Sequence, residues 1–73
     1  MWEKFINKKC LIKVNIINSI DSCYYEGFVR DVDDKVIEID VESVRIYINS
    51  KKGKLSGKSL INKNYIVSIT IIE

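Results

Sequence analysis

Three sets of residues in this chain are of types that do chemistry: the adjacent carboxylates Asp33 and Asp34, the thiols Cys10 and Cys23, and a run of lysines at 51, 52, 54, 58 and 63. There is no histidine anywhere. That removes the usual general base, and with it nucleophile-plus-base arrangements and histidine metal sites. Asp33 and Asp34 are of a type that binds divalent cations, but adjacent acids between two strands more often shape a turn through their own backbone. The chain is expected to be no enzyme and to need no metal or cofactor. The twelve residues between Cys10 and Cys23 fit no redox motif. Both cysteines are therefore expected to be small core hydrophobes with reduced thiols. The lysines have a different chemistry, since their charge matches the phosphates of a nucleic acid. Tyr24, Phe28, Tyr47 and Tyr65 are candidates to stack on bases, set against the plainer reading that strand aromatics belong to the core.

Net charge is only +2, but its distribution is uneven. Residues 26–42 hold seven acids against Arg30 and Lys35, while residues 43–73 hold six bases against Glu73 alone. Such asymmetry predicts either a face for a polyanion or two complementary faces that meet in an oligomer. With 73 residues, 47% apolar and 30% charged, the chain is expected to form one folded domain over residues 1–73, of marginal stability as a monomer. No apolar run approaches the roughly 18 residues of a membrane span. No charged-then-apolar leader follows Met1, and a cytoplasmic protein without membrane contact is expected.

The elements that must position these groups follow from the apolar spacing. Trp2, Phe5 and Ile6 are spaced i, i+3, i+4, which predicts a short helical lid. From Cys10 the period becomes two, with Ile12, Val14 and Ile16 alternating with polar residues, and residues 18–22 form a turn cluster. A second strand runs from about Cys23 to Val32, with Gly27 marking a bulge, a bend or the close approach of another backbone. After a tight turn at 33–35, Ile37, Ile39 and Val41 alternate with acids. Then the apolar phase slips by one residue at Glu42-Ser43 before Val44, Ile46 and Ile48, which predicts a bulge inside one long bent strand. Residues 50–59 read as an exposed basic loop. A short strand at Leu60 and Ile61, a turn at 62–64, and a final strand from Tyr65 to Ile72 that is apolar on both faces complete the chain. Five short strands and a helical turn predict an all-β fold, a small five-stranded, strongly bent SH3-like barrel.

The segment Gly27-Phe28-Val29-Arg30-Asp31-Val32-Asp33-Asp34-Lys35-Val36-Ile37 follows the pattern glycine, one residue, apolar, two residues, apolar, aspartate, two residues, apolar. It resembles the first motif of Sm-like proteins. Ile61-Asn62-Lys63-Asn64-Tyr65-Ile66-Val67-Ser68-Ile69 resembles the second, in which a strand ends in a short polar turn and the last strand begins at once. Lys63 matches the lysine of that turn in the Hfq branch. The resemblance spans nearly the whole chain and implies a homo-oligomeric ring, the last strand of one subunit pairing with the fourth strand of the next, through Leu60, Ile61, Ile66, Val67, Ile69 and Ile71. It also implies single-stranded RNA as a partner, held at the pore turns by Lys35, Asn62, Lys63 and Asn64, with Lys51, Lys52, Lys54 and Lys58 adding charge. This sequence departs from the family at the first turn, where Asp34-Lys35 or Ile37 replaces an asparagine or glutamine-aromatic pair that would stack a base, and at the second, where Asn62-Lys63-Asn64 replaces arginine-glycine or lysine-histidine. The alternative is a structural or protein-interaction ring, or a monomeric SH3-like module, that binds no nucleic acid.

Overall fold

A computed structural model describes residues 1–15, 22–46, 52–53 and 56–72, the side chains at positions 22, 45, 46, 52 and 53 excepted. Tyr47 and the lysines at 51 and 54 lie outside the described residues. A 3-10 turn, Trp2–Phe5, leads into β1 (Lys9–Asn15), β2 (Ser22–Val32) and β3 (Val36–Ile46). They are followed by the two-residue β4 (Lys52–Gly53), β5 (Gly57–Asn62), a second 3-10 turn (Lys63–Tyr65) and β6 (Ile66–Ile71). All pairings are antiparallel. The order is β4-β3-β2-β1-β6, and β5 also pairs with β3. Because β4 meets β3 at Val44 and Arg45 while β5 meets it from Val36 to Val41, the two short strands share one strand position, and the sheet has five positions. The fold is all-β, as the alternation predicted.

Three bulges explain how the strands curl around one core. Between β2 and β3, Glu26 faces Ser43 and Gly27 faces Val41, so Glu42 is the extra residue. It is the predicted phase slip, and it lets Val41 and Val44 both point inward, where each is buried. Nearer the turn, Val29 faces Ile39 and Asp31 faces Glu38, so Arg30 is extra on the other strand. That slip turns Val32 toward the core and Asp31 outward. In β6, Ser68 pairs with Lys13 and Ile66 with Val14, leaving Val67 as the unpaired residue. β6 is therefore apolar toward the core and mixed outside, where Val67 and Ile71 are exposed along with Ser68 and Thr70. The bulge puts Ile66 and Ile69 against the core and Ser68 and Thr70 outside.

Ile12, Val29, Ile37, Ile39 and Cys10 are fully buried, joined by Phe5, Cys23, Val41, Val44 and Ile61. Gly27 sits where the strands come closest. A Cβ there would lie 2.0 Å from the Asp40 carbonyl oxygen, so the position needs glycine for space. The N-terminal lid is a 3-10 turn rather than an α-helix, too short to be stable alone. Phe5 anchors it in the core. Asn7, at φ 63°, turns the chain back through its N–H to the Val29 carbonyl at 2.7 Å, and Val29 N–H returns a bond to the Lys8 carbonyl at 3.1 Å. Asparagine tolerates this left-handed conformation better than most residues.

Both cysteines are free and buried on the adjacent strands β1 and β2, in core positions as the sequence predicted. Burial pushes both thiols above their ordinary pKa. Since the thiolate is the reactive form, a disulfide reagent such as Ellman's is expected to react slowly with the folded protein and rapidly in denaturant. Prompt reaction in native buffer would contradict the burial of both side chains.

Candidate nucleic-acid interface

The sharp turn between β2 and β3 is built by Asp33. Its Oδ1 accepts the backbone N–H of Lys35 at 2.7 Å and of Val36 at 2.9 Å, and its own N–H donates to the Val36 carbonyl at 3.0 Å. The bonds from Val36 and Lys35 hold its carboxyl below the usual range. The Asp33 carboxylate is thus a turn former. Among the described residues, no group of three or more histidine, cysteine or acidic side chains is arranged to hold a metal. At the other turn, Asn62 Oδ1 accepts the Asn64 N–H at 2.9 Å and caps the 3-10 turn that follows.

The two turns are stitched to each other. Val36 pairs with Asn62, and the Lys63 N–H donates to the Lys35 carbonyl at 2.8 Å. Lys35, Asn62, Lys63 and Asn64 therefore occupy one end of the sheet. Among the described residues neither Lys35 nor Lys63 is in an ion pair. Instead the Lys63 ammonium lies over the Trp2 ring, 4.9 Å from its centroid. The sequence spacing places Trp2 only in the apolar lid, and the contact that brings it to this end is tertiary.

The remaining basic residues lie elsewhere. Gly57–Asn62 is strand, so Lys58 and Ser59 belong to β5 and not to a loop running from 50 to 59. Lys58 pairs across the sheet with Asp40, whose carboxylate is held at 2.6 Å by Arg30. Lys52 pairs through its backbone with Arg45, nine residues along β3 from Val36, which is about 30 Å of strand contour. The backbone of Lys52 thus lies well away along β3 from the paired turns.

The aromatics also separate. Tyr24 is half-buried with the Lys13 ammonium 5.9 Å from its ring centroid, and Phe28 is half-buried with the Arg30 guanidinium at 5.2 Å. Tyr65 is exposed at the second turn. The side chains expected at an oligomer contact divide in the same way. Leu60, 67% exposed, and Val67, 49% exposed, point to solvent with Ile71. Ile66 and Ile69 are partly covered by the core. Ile61 is buried inside its own core, so it offers a neighbour only its backbone. β5 pairs only with β3 and β6 only with β1, which leaves the second edge of each without a strand among the described residues. A small acidic hollow, lined by Asp31, Asp33, Val36, Glu38 and Leu60, adjoins the β5 edge. No described helix is long and apolar enough to cross a membrane. No protein-family model and no curated protein matches this sequence.

Proposed function

We propose that the chain is a non-catalytic, Sm-like RNA-binding protein that assembles with copies of itself into a ring. The observation that carries the RNA reading is the bond from Lys63 N–H to the Lys35 carbonyl, which gathers at one end of the sheet two asparagines and two lysines that form no ion pair among the described residues. Lysine charge attracts the phosphates, and the asparagine amides reach base edges or ribose hydroxyls. The observation that supports assembly is the pair of edges on β5 and β6 that carry no strand among the described residues, flanked by exposed Leu60 and Val67. Unpaired edges with apolar neighbours invite strand pairing. Joining two different edges is a head-to-tail contact, which closes into a ring when the rotation per subunit allows.

The acidic hollow beside Leu60 favours a second reading, in which the ring binds protein and repels nucleic acid. Size-exclusion chromatography with light scattering, with and without nuclease, separates the two. A stable oligomer carrying nuclease-sensitive, salt-sensitive nucleic acid is the expected result. An oligomer free of nucleic acid, and with no affinity for added single-stranded RNA, would establish the second reading. A clean monomer would remove the ring. In the expected case Lys63→Ala weakens RNA binding severalfold and reduces its salt dependence by about one phosphate contact, while the oligomer's mass stays the same.

A further inference from the structure

Around Trp2 the structure brings together three features that no motif announces. The indole lies under the Lys63 ammonium at 4.9 Å, beside the two stitched turns. It also lines a hollow of about 240 Å³ whose other walls are Met1, Lys4, Phe5 and Ile69. The ring is held edge-to-face against Phe5, with centroids 6.3 Å apart, and Phe5 is itself anchored in the core. An aromatic plane fixed from below, open to a hollow and bordered by lysines is the arrangement that single-stranded nucleic acids stack on.

The local charge agrees with this occupant. Lys4 lines the hollow, with its ammonium 5.2 Å from the Phe5 ring centroid, and forms no ion pair among the described residues. Of the nearby acids, Glu3 lies 2.6 Å from the Met1 amine and Asp33 accepts two backbone N–H groups, while Asp34 is exposed beside Lys35 in the first turn. Two lysines, Lys4 and Lys63, thus flank an aromatic wall at one end of the sheet, and Lys35 is joined to Lys63 through its carbonyl.

We propose that Trp2 is the base-stacking platform of the two-turn site: one base of a single-stranded RNA enters the hollow and stacks on the indole, with Lys4 and Lys63 taking the phosphates on either side. The inference rests on the RNA reading above and adds the group that reads the base. It supplies, from the N-terminal turn, the aromatic that the Asp33-Asp34-Lys35 turn does not contain. It also gives the lid a role beyond covering the core.

Trp2 is the sole tryptophan of the chain, so its emission reports the site directly. The test titrates the full-length protein with a short end-labelled single-stranded RNA and with an abasic ribose-phosphate oligomer of equal length. Label anisotropy gives binding, and indole emission gives stacking. The expected result is saturable quenching by the RNA that exceeds any change caused by the abasic oligomer, with the same midpoint as the anisotropy. Trp2→Leu keeps the apolar bulk and is expected to weaken RNA about tenfold with little effect on the abasic oligomer, while Trp2→Phe retains most of the affinity. RNA binding with emission no different from the abasic case, or equal losses for both oligomers in Trp2→Leu, would overturn the platform while leaving the RNA reading intact. No anisotropy change with any oligomer would overturn both. The comparison of quenching needs only the unmodified protein, so it stands if Trp2→Leu does not fold.

Discussion

Gly27→Ala is expected to abolish the cooperative fold. The new methyl carbon would lie 2.0 Å from the Asp40 carbonyl oxygen and 2.9 Å from both the Asp40 carbonyl carbon and the Val41 Cα. All three are backbone atoms of β3, so no side chain can swing away. Relief requires β2 and β3 to separate, which strains the ladder on both sides of the bulge at Glu42. A cost above about 4 kcal/mol is in the range few single substitutions reach. A domain of this size has about 4–11 kcal/mol in total. Circular dichroism through a thermal ramp is expected to show no cooperative transition. A variant that melts like the parent would show that the two strands do not approach so closely.

Ile39→Ala is the second large effect, and its cause is packing. Ile39 is fully buried on β3, facing Val29 on one side and Ser59 on the other. Because β3 pairs on both edges, its backbone cannot easily collapse into the space left behind. The expected loss is about 2–5 kcal/mol, against about 0.5–1.5 kcal/mol for Ile39→Val, which removes a single methylene. Urea denaturation at one fixed protein concentration reads both, as a lower midpoint with an unchanged slope. Fixed concentration matters because self-association stabilises the folded state by mass action. Equal midpoints for the two variants would place Ile39 at a site that closes over its own cavity.

Much of this architecture is legible in the chain because apolar residues keep strict time. The slip at Glu42 is visible as two apolar runs out of step, and the bulge follows from the need to keep both runs inward. The same rule applies at Val67, but there Ile66 and Val67 are both apolar and either could point inward, so the slip is masked and the strand reads as apolar on both faces. The bulge at Arg30 is hidden differently, since Asp31 and Val32 fit either phase until the partner strand is known. Gly57, Lys58 and Ser59 have poor strand propensity and read as loop. They are strand because β3 supplies a paired edge for them, a tertiary effect that overrides local preference. The candidate site shows a similar boundary. Each turn is readable from its own residues, Asp33 in one and Asn62 in the other. That Lys63 meets both Lys35 and Trp2 depends on how the sheet curls, and no spacing along the chain encodes it.

The pairing of β1 with β6 bears on how the chain is made. Cys10 faces Ile71 and Val14 faces Ile66, so the outer edge of β1 waits for a partner synthesised some 50 residues later. At ribosomal speeds of 5–20 residues per second that is a delay of about 3–10 seconds. Throughout it, a strand containing Leu11, Ile12 and Val14 has one bare flank in the nascent chain. It is during this interval that crowding on a polysome, where many copies expose the same flank side by side, selects between correct pairing and premature pairing with a neighbour.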